Sequence, residues 1–206
     1  MNIPDDLFAN WQHAFDRLGI QPTQVEYLAR YCSRLWAHNQ EINLVSRKMD
    51  PETLLTDHLL DSLIGLPYFP GVRRVADLGS GGGFPSIPLA ICRPDVAFLL
   101  YEKSPLKRRF LDGLRDLAPN TATRGILSEQ EPLEEVDLVM ARGFKSIKQI
   151  LNLSTAHRRK GGRFWLYKGR RARIDEELAE VGDRLEASIQ VLQSYGKAEE
   201  RHLVIF

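Results

Sequence analysis

Residues 77–85 read Asp-Leu-Gly-Ser-Gly-Gly-Gly-Phe-Pro and follow directly on the apolar pair Val75-Ala76. Glycines placed where a strand turns into a helix carry no Cβ to hold a ligand off, so a flat or anionic molecule can lie against the backbone there. A dinucleotide fingerprint G-x-G-x-x-G that begins at Gly79 requires a glycine at position 84, where this chain has Phe84; a nicotinamide reading is weakened accordingly. A second acid, Glu102, closes the apolar run 96–101 about one strand-helix-strand unit later. A carboxylate at that place can accept hydrogen bonds from both ribose hydroxyls of a nucleoside, whichever cofactor carries it.

The spacing actually present, G-x-G-x-G through Gly79, Gly81 and Gly83 with an acid just before it, resembles the first motif of S-adenosylmethionine methyltransferases. In that class the acid at the Asp77 position helps hold the methionine part. The acceptor atom can then be narrowed by what is absent. Amino methylation of adenine usually shows a D/N-P-P-Y/F/W tetrapeptide after the fourth strand, where this chain has Ala141-Arg142-Gly143-Phe144. Methylation of cytosine C5 needs a cysteine nucleophile at a late strand end, and neither Cys32 nor Cys92 is so placed. A ring nitrogen such as guanine N7 has an in-plane lone pair and loses no proton, so alignment with the sulfonium methyl suffices and no general base is required.

These residues need a scaffold, and the apolar pattern supplies one. Leu7, Trp11, Ala14, Phe15 and Leu18 recur at helical spacing, and Val25, Leu28, Ala29, Cys32, Leu35 and Trp36 repeat it after a break at 19–22. Thr23 with Glu26 fits a capping box at the second start. Asp50 as N-cap and Pro51 in the first turn begin a third helix through Leu54, Leu55, Leu59 and Leu63. From Val72 short apolar runs alternate with helical stretches. Strands are expected at 75–78, 96–101, 136–140 and 163–167, with helices near 87–91, 106–117 and 147–155, and another marked by Ile174, Leu178, Val181 and Leu185. Two last runs, 189–192 and 202–206, can pair as a hairpin. The pattern predicts an α/β fold with a mostly parallel, doubly wound sheet and an antiparallel edge, helical over 1–70 and α/β over 71–206. Trp11, Phe15 and Trp36 are expected in the core.

Composition sets the bounds. At 206 residues, 43% hydrophobic and 27% charged, the chain can bury a full core without disulfides or metals. Two distant cysteines with no C-x-x-C spacing suggest no zinc site and a reducing compartment. No basic start precedes an apolar run and no apolar stretch approaches ~20 residues, so a cytoplasmic protein is expected. The net charge of +1 does not announce a nucleic-acid binder, but basic residues gather at 107–109, 158–160 and 168–173. Such clusters can form a phosphate-facing patch, or equally a solvated face.

Asn43-Leu44-Val45-Ser46, His58-Leu59-Leu60-Asp61-Ser62, the stretch 77–88, Arg142-Gly143-Phe144, Gly162-Arg163-Phe164 with Lys168-Gly169, and Glu200-Arg201-His202-Leu203-Val204-Ile205 together resemble one family: the RsmG, or GidB, 16S ribosomal RNA guanine-N7 methyltransferases, which modify guanine 527 in the 530 loop. The resemblance implies a seven-stranded, Rossmann-like class I methyltransferase with an N-terminal helical extension packed on its core. It implies S-adenosylmethionine as cofactor, held by Asp77, Gly79, Ser80, Gly81, Gly83, Phe84, Glu102 and Arg124, with Arg142 near the transferred methyl and the base. Asn43, His58 and Asp61 would approach the same cleft as catalytic residues, and Lys168 and Arg201 would meet RNA. The implied partner is 16S ribosomal RNA, free or in a 30S subunit or assembly intermediate; a monomer is expected, with neither membrane nor metal. The family usually has Arg-Ala-Phe at 142–144. Plainer roles compete: a helix-face histidine bonded to a neighbour for His58, a turn cap for Asn43, surface charges for Lys168 and Arg201. Other activities compete as well: transfer to another RNA site or a small molecule, a nicotinamide oxidoreductase, or a non-catalytic ribosome assembly factor.

Overall fold

The computed structural model describes all residues except 1, 2, 5, 129–131, 183–185 and 197–199. The helical N-terminal part begins with α1 (Leu7–Asn10) and α2 (Gln12–Arg17), followed by α3 (Pro22–His38). The start of α3 lies earlier than the Thr23 capping box predicts. Pro22 occupies the first turn, where its missing N–H costs nothing, and Gln24 Oε1 accepts from the Gln21 backbone N–H at 2.9 Å. Asp50 is the N-cap of α4 (Pro51–Leu54), accepting from Thr53 N at 2.7 Å as expected. The helix then widens into a π-helical stretch, Leu55–Leu60, before closing with α5 (Asp61–Leu63).

Seven strands make one sheet: β1 (Arg74–Leu78), β2 (Ala97–Tyr101), β3 (Thr121–Arg124), β4 (Leu138–Arg142), β5 (Arg163–Lys168), β6 (Ser188–Leu192) and β7 (Arg201–Ile205). Their order is β3-β2-β1-β4-β5-β7-β6, with β1 to β5 parallel and β7 antiparallel to both β5 and β6. Connecting helices are α6 (Ser86–Cys92), α7 (Pro105–Asp112), α8 (Ile147–Leu153), α9 (Thr155–Arg159) and α10 (Arg171–Ala179). The doubly wound sheet and its antiparallel edge are as predicted. The edge strand β3 escapes the periodicity reading, because Thr-Ala-Thr-Arg offers no apolar alternation. The segment 106–117 is helical only to Asp112, and Leu185 lies outside the described residues.

Each face of the sheet is covered. On one side Val75, Phe98, Met140 and Trp165 share a continuous apolar cluster with Phe15, Leu28, Leu35, Leu54 and Leu63 of the N-terminal helices. Phe15 is fully buried, while Trp11 and Trp36 are partly buried against the same cluster, the core role expected of them. On the other side Ala76, Leu99, Val139 and Leu166 pack with Ile147, Ile150, Leu151 and Ile174. The first seventy residues therefore complete one face of the sheet, and they bring polar side chains to its carboxyl edge.

Candidate active site

Strand order reverses between β1 and β4, so the loops after these strands diverge and leave a crevice at their carboxyl ends. A cleft of about 1700 Å³ lies there. Small-molecule pockets usually run to about 300–1,000 Å³, so this one can seat a nucleoside and part of a second molecule together.

The floor is the glycine turn. Gly81 has φ +57°, and a Cβ there would point into open space with only Gly79 O near it, at 3.8 Å. A left-handed backbone with nothing above it makes a cradle that a side chain would strain and partly fill. Tyr31 of α3 donates its hydroxyl to Gly82 O at 2.8 Å, so the N-terminal helices hold the turn from behind. Glu102, at the end of β2, accepts from Gly81 N at 2.9 Å through Oε2 and from Ser104 N at 2.8 Å through Oε1. Its first duty is thus to fix the loop. A carboxylate offers about four acceptor sites, which leaves capacity on both oxygens.

Asp77 lies beneath this turn and is 1% exposed. Neither of its carboxylate oxygens has a hydrogen-bond partner among the described residues. Ser80 Oγ, close by, donates instead to the Asp77 main-chain carbonyl at 3.2 Å, and Ser86 Oγ points at Met140 Sδ. Burial pushes the Asp77 carboxyl up to about 6, against the opposing influence of the Ser86 and Ser80 hydroxyls and of Arg142. A buried carboxylate with no close donor is costly, and Asp77 lies behind the cleft wall, which Leu78, Gly79 and Ser80 form in front of it.

Arg142, the last residue of β4, carries the second feature. Its Nη1 donates to Asp61 Oδ2 at 3.1 Å and to Asp57 O at 3.3 Å, and its Nη2 donates to His58 Nδ1 at 3.0 Å. The guanidinium stands 5.3 Å from the Phe84 ring centroid, and the His58 ring packs on the same phenyl at 5.3 Å. Arg201 Nε reaches the other Asp61 oxygen at 2.7 Å. The π-helical stretch presents Asp57 and His58, with Asp61 just beyond it, to the strand end; such stretches recur at functional sites. Burial pushes the His58 imidazole down to about 4, with the Arg142 and Arg201 charges adding to it, so His58 is neutral at pH 7 and carries its proton on Nε2. Burial likewise lowers the Arg142 guanidinium, against Asp61, and raises the Asp61 carboxyl, against both arginines. Two guanidiniums share one carboxylate, and the cluster keeps a net positive charge.

Other expected residues are placed differently. Gly79, Ser80, Gly81, Phe84, Glu102, Arg142, His58, Asp61, Lys168 and Arg201 all line the cleft, whereas Gly83 faces Ile87 and Tyr31. Asn43 is exposed and off the cleft wall; Leu44 and Val45 line it instead, pinned by Asn39 Oδ1, which accepts from both of their N–H groups at 2.9 Å. Arg124 pairs with Glu134, and its neighbours Gly125, Ile126 and Leu127 form the wall there. Lys168 Nζ is spent on Glu177 Oε2 at 2.7 Å and Lys145 O at 3.0 Å, and only 15% of its side chain is exposed. Its ammonium ties β5 to α10. Around the mouth stand Lys107 and Arg170, from the basic clusters 107–109 and 168–173, and Phe144, next to Arg142 in its motif, together with Lys103, Lys145, Ile126 and Leu153, which no motif or charge cluster marks.

Among the described residues no group of three or more His, Cys, Asp or Glu is placed to hold a metal, and no helix is long and apolar enough to cross a membrane.

The chain is similar to known proteins over most of its length. The family model described as rRNA small subunit methyltransferase G matches residues 24–204. Ribosomal RNA small subunit methyltransferase G 1 of Bdellovibrio bacteriovorus is 39% identical over 202 residues, covering 96% of this chain and 98% of that protein. Ribosomal RNA small subunit methyltransferase G of Serratia proteamaculans is 37% identical over 187 residues, covering 88% and 89%. Among solved structures, the METTL16 MTase domain superposes with a TM-score of 0.54 at 13% identity, covering 98% of this chain and 92% of that one, a likeness of fold alone.

Proposed function

Because the chain belongs to the rRNA small subunit methyltransferase G (GidB) family, we propose that it transfers a methyl group from S-adenosylmethionine to N7 of a guanine in 16S ribosomal RNA, the 530-loop guanine named above. The observation that carries the reading is the buried carboxylate of Asp77, without a hydrogen-bond donor, under an open glycine turn. The residues fit the cofactor: an ammonium on its methionine end would supply the charge and donors that Asp77 lacks, and the spare acceptor sites of Glu102 suit ribose hydroxyls.

S-adenosylmethionine supplies an electrophilic methyl group on a sulfonium. What remains for this chain is alignment, since N7 offers its lone pair directly and no proton has to leave. His58 suits that chemistry: a neutral imidazole whose Nδ1 already accepts from Arg142 is a poor proton acceptor, and its task is to hold the guanidinium in place. Arg142, fixed by Asp61, Asp57 O, His58 and Phe84, presents donors of set direction to the base. The opposed charges of Asp61 and Arg201 keep that geometry when the cleft is occupied.

The test is transfer of labelled methyl from S-adenosylmethionine into 16S ribosomal RNA or 30S particles, with the product mapped as N7-methylguanosine. Label that enters only a small metabolite, or no RNA at all, overturns the proposal.

A further inference from the structure

Seven large apolar side chains are exposed among the described residues, and three of them, Ile126 at 61%, Phe144 at 39% and Leu153 at 38%, line the same cleft. Scattered exposed apolar residues need no explanation, but convergence at the mouth of one crevice does. Phe144 is the aromatic one. Gly143, with φ +61° and open space around it, turns the chain sharply after Arg142, so that the phenyl lies across Gly79, where it would clash with any Cβ. The ring thus rests against the glycine turn, and its exposed part lines the cleft. Lys145 Nζ sits 5.4 Å from its centroid, and no ion pair claims that ammonium among the described residues. A ring beside a free cation, two residues from the guanidinium of Arg142, suits a flat heterocycle attached to a phosphate.

We propose that Phe144 is a substrate-contacting residue: its ring stacks on the nucleobase to be methylated, and Lys145 takes the adjoining phosphate. The inference rests on the RNA methylation reading above. Stacking explains why a large apolar side chain is left in water at this point, since an unstacked base brings a π-face of matching size. It also supplies what Arg142 cannot. In-plane donors set the direction of the base within its own plane, and a ring against its face sets the height of that plane.

The experiment compares wild type with Phe144→Ala, Phe144→Leu and Phe144→Tyr, measuring S-adenosylmethionine binding without RNA and single-turnover methyl transfer to 30S particles that lack the modification. Loss of one base-stacking contact corresponds to about a five- to 150-fold fall in kcat/KM for RNA. That fall is expected for Ala and Leu, with Tyr near wild type and cofactor binding unchanged in all. Lys145→Ala is expected to lower the dependence of RNA affinity on salt while leaving cofactor binding intact. Transfer by Phe144→Ala within twofold of wild type, rescue by Leu as complete as by Tyr, or a matching loss of cofactor binding overturns the inference and leaves the functional reading standing. If the wild-type protein transfers nothing to RNA, both fall.

Discussion

Arg142 and Asp61 lie 81 residues apart in sequence and meet at 3.1 Å, with Nη1 donating to Oδ2, so the end of a central strand and the N-terminal helices share one buried ion pair. Asp61 also accepts from Arg201 at 2.7 Å, which adds the antiparallel edge of the sheet to the same contact. Three separate parts of the chain are therefore locked together beside the cleft by one carboxylate.

Removing that carboxylate leaves two guanidiniums facing each other with little water. Asp61→Ala is expected to destabilise the protein by about 3–5 kcal/mol, read as a lower urea midpoint. It should also reduce methyl transfer far more than it reduces cofactor binding. The double variant Asp61→Ala with Arg201→Ala should cost less than the sum of the single changes, because the second removes a charge that the first orphaned. Strict additivity would show that the pair is not coupled.

Asp77 sets stability against binding. Its folded carboxyl titrates at about 6, above its ordinary value of 3.8, so the folded empty protein holds this proton more tightly than the unfolded chain does. The penalty for ionising it is absent below about pH 4 and fully present above about pH 6. Asp77→Asn is thus expected to stabilise the cofactor-free protein at pH 8 by up to about 3 kcal/mol, with no gain at pH 4, measured by denaturant unfolding. The same variant should lose cofactor affinity. In wild type, affinity for S-adenosylmethionine should weaken as pH falls through about 6, since the neutral acid cannot balance an ammonium.

His58 gives the opposite slope. Its pKa is depressed to about 4, so as pH falls from the ordinary histidine value of 6.5 the unfolded chain takes up a proton that the folded protein refuses. Stability should decline from about pH 6.5 to pH 4, and the decline should be shallower in His58→Gln by an amount of order 1–3 kcal/mol at pH 4. Transfer activity should show no limb near pH 6.5 that disappears in His58→Gln. Such a limb would show that the imidazole titrates in its ordinary range and is not kept neutral by burial beside two arginines.

Lys168 and the cations at the cleft mouth should separate cleanly. Lys168→Ala leaves Glu177, 6% exposed, without its ammonium, and so should lower Tm. Lys103→Ala and Lys107→Ala should leave Tm unchanged and reduce the slope of log affinity for RNA against log salt by about 0.7–0.9 each. A Lys168→Ala protein of normal Tm but weakened RNA binding would return the phosphate contact to Lys168.

Local chemistry made much of this protein readable in one dimension. The change from helical spacing to alternating apolar runs at Val72 marks where the sheet begins. The glycines at 79, 81 and 83 sit at a strand end because a turn with positive φ there favours residues without a Cβ, and Asp50-Pro51 announces its helix through capping alone. These are signals between neighbours. Tertiary structure decided which charges are free. Arg201, Lys168 and Arg124 look alike as basic residues, yet Arg201 meets Asp61 140 residues away, Lys168 meets Glu177 of the following helix and Arg124 meets Glu134, so part of the donor capacity of each is spent within the fold. Folding likewise took Asn43 off the cleft wall and gave loop anchoring to Asn39, left Asp77 without a donor, and turned Phe144 into the cleft. Whether a side chain is spent or available depends on partners up to 140 residues away, as for Asp61 and Arg201, and pairing at that distance is set by how the sheet and the N-terminal helices pack.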